Sequence, residues 1–104
     1  MSEDNQIYIP ESFIALFLQP GRYKPSAGHA EVSARYELCE DMAQMLTETA
    51  QNMQFNLGVT EQDVLQQCLR GLQAQDSVVA PAEALWVVQR LAELLHWPAP
   101  ASEA

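Results

Sequence analysis

The chain has 104 residues, of which 48% are hydrophobic, and its formal net charge is −9. This length fits one domain, and the hydrophobic content is too high for a chain that is disordered throughout. Fourteen acidic residues against five basic ones repel a phosphate backbone and an anionic membrane surface. The charge therefore disfavours binding to nucleic acid and to membranes.

The ends and the cysteines predict the cellular compartment. Residues 1–6 are polar and acidic, without the positive start and apolar run of a secretory signal. No apolar run approaches the roughly 20 residues of a membrane span. These features predict a cytoplasmic protein. In that reducing compartment Cys39 and Cys68 are expected to be free thiols that pack as small buried hydrophobes.

The first predicted helix is short. Pro10 suits the first turn of a helix, and Glu11 favours its positive N-terminal end. The positions that follow, up to Leu18, are apolar nearly all round, which predicts burial on more than one side. The Pro-Gly pair at 20–21 is expected to end this segment.

The strongest pattern in the chain is an apolar stripe from about His29 to Leu57, at steps of four and three residues. The stripe residues are Val32, Tyr36, Cys39, Ala43, Leu46, Ala50, Met53 and Leu57. They predict one long amphipathic helix, with Gly58 as its C-terminal cap. Such a helix spans about 40 Å, whereas a compact domain of this size is about 34 Å across. We therefore expect either a bent helix or a stripe partly covered by another subunit.

A third helix is predicted to start after Thr60, which is a good N-cap and has Asp63 at the capping-box position. Its buried face is predicted to consist of Val64, Leu65, Cys68, Leu69 and Leu72. The Arg70-Gly71 pair is typical of a helix end, where a positive side chain is favourable, and the last turn is expected to fray as far as Gln73.

The last predicted helix opens at Pro81 and has Glu83 in its first turn. Apolar residues extend well beyond one face of this helix, which indicates deep burial. Pro98 and Pro100 are expected to end it, because a proline cannot continue a helix.

These elements together predict a single all-α domain over residues 1–104. The expected architecture is a small bundle of about four helices, one short, one long and two of medium length, with mostly antiparallel neighbours. Residues 1–6 and 98–104 are expected to be loose tails.

The 20–29 loop concentrates positive charge on an acidic chain. Its glycines are too far apart for a P-loop, and no predicted strand precedes them. A helix start beside cations can still hold an anion. One predicted site for an anionic ligand or a phosphorylated partner therefore comprises Arg22, Tyr23, Lys24 and His29. The alternative is a solvated connecting loop that its prolines stiffen.

No residue pattern indicates catalysis or metal binding. The histidines and cysteines, His29, His96, Cys39 and Cys68, form no pair at metal-ligand spacing. Cys39 lies on the apolar stripe, where burial disfavours the reactive thiolate. The sequence predicts a protein that is not an enzyme and that holds no cofactor and no metal.

Large aromatic residues and methionines point to an interaction surface instead. Trp86 lies off the narrow apolar stripe of its helix, and Trp97 stands just before the terminal prolines. Each tryptophan either covers the core or anchors an interface, where tryptophan is enriched. Methionines suit adaptable binding surfaces and also plain core. The predicted interface residues are Tyr36, Met45, Met53, Trp86 and Trp97.

Four stretches carry a resemblance to known proteins: "IPESFIALFLQPGRYKPS", "RYELCEDMAQMLTE", "GVTEQDVL" and "WVVQRLAELL". They are similar to a family of short helical bacterial proteins, some of which are labelled as an ATPase with chaperone activity. The similarity covers nearly the whole chain. It implies a chaperone or protease machine as neighbour or partner. It supplies no catalytic residues, because the chain has no P-loop and no room for an ATPase core.

The sequence thus predicts a non-enzymatic helical protein, an interaction adaptor or regulator that binds a protein partner and forms a homo-oligomer, such as a homodimer. The alternative is a small binding module for an anionic ligand or phosphorylated partner, which would use the 20–29 loop. A third hypothesis is an enzyme that acts through Cys39 or Cys68. Slow alkylation of both thiols in the native protein would exclude it.

Overall fold

The computed structural model describes residues 8–18, 28–74 and 77–100. Within these ranges the chain forms four α-helices and no β-strand. The helices are α1 (Glu11–Ile14), α2 (His29–Leu57), α3 (Glu61–Leu72) and α4 (Pro81–Leu95). This confirms the predicted all-α fold, a small bundle of about four helices.

The first helix is shorter than the sequence predicts. α1 is a single turn, and a 3-10 turn over Ala15–Phe17 continues it. Only Phe13 of its apolar residues is fully buried, whereas Leu18 is 37% exposed. One turn offers too few positions to bury an apolar surface on every side.

The second helix has the bounds that its apolar stripe predicts. Gly58 follows it with a φ of 66°, in the left-handed region that glycine adopts without steric cost. The Gly58 N–H donates a hydrogen bond to the Gln54 carbonyl at 2.9 Å. Gly58 is therefore the C-terminal cap that the sequence indicates, and the chain turns here into α3.

The third helix begins at the predicted N-cap. The Thr60 hydroxyl accepts a hydrogen bond from the Asp63 N–H at 3.0 Å. α3 continues one residue past the Arg70-Gly71 pair to Leu72, with Gln73 as its C-cap, which agrees with the end expected between Arg70 and Gln73. A glycine inside a helix costs only about 1 kcal/mol. The packing of Leu72 against the core offsets that cost.

The fourth helix begins with Pro81, as predicted. The Glu83 carboxylate accepts a hydrogen bond from the Ala80 N–H at 2.9 Å, which satisfies a backbone donor that the helix itself leaves unpaired. Glu83 is buried, with 5% of its surface exposed. A carboxylate at this end of a helix also interacts favourably with the helix dipole.

α4 ends at Leu95, before the prolines that we expected to end it. His96 adopts the left-handed conformation, with a φ of 60°. The Trp97 N–H donates to the Ala92 carbonyl at 2.9 Å, and the His96 N–H donates to the Glu93 carbonyl at 3.2 Å. This pair of bonds is a Schellman motif, so backbone hydrogen bonding rather than proline sets the end of the helix.

The predicted tails lie mostly outside the described residues. Residues 1–7 and 101–104 are not described. Within the described part, the Gln62 side-chain amide donates a hydrogen bond to the Ala99 carbonyl at 3.0 Å. The segment that follows α4 is therefore joined to α3 by one hydrogen bond at Ala99, and the loose tail over 98–104 stays a prediction.

Contacts within the chain cluster into two units, residues 1–38 and residues 39–104. Among the described residues of the first unit, Phe13 is fully buried and contacts two other aromatic rings. Its ring lies 5.6 Å from the Phe17 ring, at a tilted angle, and 5.6 Å from the Tyr36 ring, which it meets edge-on. Aromatic pairs in such geometries contribute about 0.5–1.5 kcal/mol beyond the burial of their area. The single domain over the whole chain stays a prediction.

The second unit has a core to which α2, α3 and α4 all contribute. The buried residues of this core are Ala50, Val64, Leu65, Cys68, Val88, Leu91 and Ala92. The partly buried residues packed against them are Leu46, Met53, Val59, Leu69, Leu72, Leu95 and Trp97. The apolar faces predicted for the three helices therefore meet in one cluster.

Candidate functional site

A groove of about 810 Å³ lies beside the C-terminal end of α2 and along α3, within the second unit. One wall is apolar and consists of Met53, Leu57 and Val59. The other wall is polar and consists of Asp63, Gln66, Gln67 and Arg70. We refer to these seven residues as the α2–α3 groove.

The polar wall follows from the spacing of residues along α3. Val64, Leu65 and Cys68 are buried in the core. The four polar residues stand at i, i+3, i+4 and i+7 from Asp63, so they share the opposite face of the helix. All four are exposed. The Thr60 cap fixes where α3 begins and thereby which face turns to solvent.

The apolar wall is only partly covered by the protein itself. Met53 and Val59 are half-buried and pack against the core, whereas Leu57 is 64% exposed. Complete burial of a leucine side chain stabilises a structure by about 1.5–3 kcal/mol. A partner that covers Leu57 would therefore gain part of this free energy.

Two opposite charges mark the ends of the polar wall. Asp63 lies in the first turn of α3 and Arg70 in its last turn. Seven residues of helix separate them by about 10 Å along the axis. Arg70 is exposed and makes no ion pair within residues 8–18, 28–74 and 77–100. The groove thus has an acidic end and a basic end.

A second polar cluster joins α2 to α4. The Arg90 Nε donates to the Glu40 carboxylate at 2.9 Å, and the Arg90 Nη2 donates to it at 3.1 Å. Gln44 Nε2 donates to the same carboxylate at 2.9 Å. Arg90 also pairs with Glu93, three residues further along α4, at 3.0 Å. Burial alone would raise the pKa of Glu40, but the hydrogen bonds from Arg90 and Gln44 and the Arg90 charge hold it below its ordinary value.

The lowered pKa of Glu40 predicts a loss of stability in acid. A carboxyl with a lower pKa in the folded chain than in the unfolded chain stabilises the fold above its unfolded pKa. That contribution is lost as the pH falls through its folded pKa. We expect Glu40→Gln to lower the free energy of unfolding by about 1 kcal/mol at neutral pH. The difference from wild type should shrink in acid, where the wild-type carboxyl is itself protonated.

Denaturant unfolding of wild type and Glu40→Gln from about pH 7 to about pH 3 measures this effect. Glu48→Gln is the matched control, because Glu48 is an exposed carboxylate on the same helix. The control should follow wild type at every pH. A Glu40→Gln difference that stays constant across the range would contradict the role given to the ion pair.

The predicted anion site lies mostly outside the described residues. Arg22, Tyr23 and Lys24 are not among them. His29 is described and is exposed at the first position of α2. The anion site therefore stays a prediction.

The predicted interface residues have different surroundings. Met45 is 74% exposed, and Tyr36 is half-buried within the first unit. Trp86 is 6% exposed and Trp97 is half-buried against the core, which agrees with the core role that the sequence also predicts for them. Only Met53 among the five lines the groove.

Sequence reasoning did not find the most exposed large apolar side chain of the described residues. Phe55 is 88% exposed. It stands two positions from both Met53 and Leu57, which places it off the apolar stripe of α2. Phe55 shares with Trp86 the sequence signal of a large aromatic residue off the apolar stripe of its helix. In the sequence, Asp63 and Arg70 indicate only the two ends of α3.

The cysteines are buried and free, as predicted. Cys39 is 0% exposed and Cys68 is 8% exposed. Burial raises the pKa of the Cys68 thiol, so the thiolate is disfavoured there.

Within the part of the chain that the structure describes, no cluster of three His, Cys, Asp or Glu side chains is placed to hold a metal ion. Among the same residues, no helix combines the length and hydropathy needed to cross a membrane.

Comparison with known proteins gives no match. No protein-family model matches the chain, and no curated protein and no solved structure matches it.

Proposed function

We propose that this protein is a non-enzymatic interaction adaptor or regulator that binds a protein segment in the α2–α3 groove. The observation that carries the proposal is the exposed apolar wall, with Leu57 at 64% exposure, beside a polar wall that has opposite charges at its ends. Such a groove suits a helical segment that contacts both walls and offers charges opposite to Asp63 and Arg70 along the polar wall.

The walls are fixed before any partner binds. The apolar wall continues the core of the second unit through Met53 and Val59. The polar wall belongs to a helix whose start is capped by Thr60. A preformed groove reduces the ordering cost of binding, so a larger share of the contact energy appears as affinity.

The resemblance to bacterial proteins labelled as an ATPase with chaperone activity suggests the class of partner to test first. A component of a chaperone or protease machine fits that label. In such an assembly this chain would bind and would not hydrolyse nucleotide, because its sequence has no P-loop.

Quantitative affinity enrichment from a lysate of the source cell, with Leu57→Ser as the test variant, examines the proposal. Val78→Ser is the matched control, because Val78 is also 64% exposed and does not line the groove. We expect Leu57→Ser to reduce recovery of a specific partner about tenfold, which corresponds to about 1.4 kcal/mol. The control should recover the partner as wild type does.

The proposal fails if Leu57→Ser and Val78→Ser recover the same proteins in the same amounts as wild type. Circular dichroism of both variants should match wild type, since each replaces an exposed side chain. If Leu57→Ser alone loses helix content, Gln67→Ala replaces it as the test variant. Gln67→Ala alters the polar wall of the groove and leaves the apolar wall unchanged.

A further inference from the structure

We propose that the segment bound in the α2–α3 groove is α3 of a second copy of this chain, in the antiparallel direction. This inference rests on the proposed function, because it names the occupant of the same groove. The feature that points to a second copy is the order of side chains on the polar wall, which is acid, amide, amide, base.

An antiparallel pair of identical helices matches this order to itself. When a two-fold axis passes between Gln66 and Gln67, Asp63 faces the partner's Arg70, and Arg70 faces the partner's Asp63. A two-fold interface makes each contact twice. A parallel pair would instead place Asp63 against Asp63 and Arg70 against Arg70, which is repulsive.

The centre of the polar wall is also self-complementary. Gln66 would face the partner's Gln67, and each carboxamide has both donors and an acceptor. All four polar side chains are exposed in the single chain, so they are accessible to a second copy. The four residues therefore match in pairs across the axis with no like-charged contact.

The apolar wall provides the surface that such a pair would bury. Each α3 would lie beside Met53, Leu57 and Val59 of the other copy and would present its exposed polar face, because its own apolar face is already buried in the core. This arrangement covers the exposed Leu57 of both copies. The net charge of −9 on each chain opposes indiscriminate association. An interface with matched charges can then select one geometry over others.

Variants that reverse the charge at Asp63 or Arg70 test the antiparallel pairing of the two α3 helices. Sedimentation velocity over a range of concentrations measures how strongly each variant dimerises. Asp63→Arg gives a groove with two arginines, and Arg70→Asp gives one with two aspartates. We expect each variant alone to dimerise at least about tenfold more weakly than wild type, because like charges then face one another.

An equimolar mixture of the two variants should restore dimerisation, because two arginines of one copy then face two aspartates of the other. The double variant Asp63→Arg with Arg70→Asp should also dimerise, since it keeps the complementary order. Glu48→Arg makes the same change of charge on the exposed surface of α2, outside the groove, and should dimerise as wild type does.

A wild-type protein that remains monomeric at high micromolar concentration overturns the inference. So does a wild-type dimer for which the mixture and the double variant both fail to restore association. A loss of fold in the single variants would not imitate the expected result, because the mixture contains the same two chains. Suppose that the wild type is monomeric and that Leu57→Ser recovers less of a different protein partner than the wild type does. This result would support the proposed function and would overturn the second copy as the occupant of the groove.

Discussion

Replacement of Leu91 by alanine is expected to lower the free energy of unfolding by about 3 kcal/mol. Leu91 is 0% exposed and lies in the cluster where α2, α3 and α4 meet. Its neighbours there include Val64 and Leu65, which are also buried to within 1% exposure. Close-packed neighbours fill the space of a removed side chain only in part, so a cavity adds to the lost transfer free energy.

Leu85→Ala is the matched control for this prediction. Leu85 lies on the same helix and is 46% exposed, so its truncation should cost less than about 1 kcal/mol. Urea unfolding followed by tryptophan fluorescence reports on this unit, because Trp86 and Trp97 both belong to it. Equal losses for Leu91→Ala and Leu85→Ala would show that the cluster does not pack as described.

The parts of the fold that the sequence predicts well are those that local interactions decide. The bounds of α2 follow from its apolar stripe and from Gly58. Gly58 has a φ of 66°, which a glycine adopts without steric strain. The start of α3 follows from one hydrogen bond between Thr60 and Asp63, three residues apart. These signals lie within a few residues of the feature that they determine.

The parts that the sequence does not predict depend on residues far apart in the chain. The Glu40–Arg90 ion pair joins positions separated by 50 residues, and no local pattern relates them. The end of α4 is set by backbone hydrogen bonds of the Schellman motif, whereas sequence reasoning assigned it to proline. The length of α1 depends on the packing of residues such as Phe13, and its sequence carries no residue that marks where the single turn ends.

The candidate site shows the same division. The polar face of α3 can be found from the spacing of Asp63, Gln66, Gln67 and Arg70. That this face forms one wall of a groove requires α2 to lie beside it, which the packing of the second unit determines. Of the residues that line the groove, the sequence therefore predicts only Met53 as an interface residue and does not point to its neighbours across the groove.

Replacement of Phe13 by alanine is expected to destabilise the first unit by about 3–5 kcal/mol. Phe13 is 0% exposed, and its ring contacts both Phe17 and Tyr36. The substitution removes the buried ring and both aromatic contacts at once. Because α1 is a single turn, it has little stability of its own to hold the remaining side chains in place.

Hydrogen exchange of the backbone amides of residues 32–38 measures this effect within the first unit, because these amides belong to the part of α2 in that unit. Phe55→Ala is the matched control, since it makes the same substitution at a ring that is 88% exposed. The control should change stability by less than about 0.5 kcal/mol. We expect Phe13→Ala to accelerate exchange at these amides strongly and Phe55→Ala to leave it unchanged. Equal protection in the two variants would mean that the Phe13 ring does not hold α1 against α2.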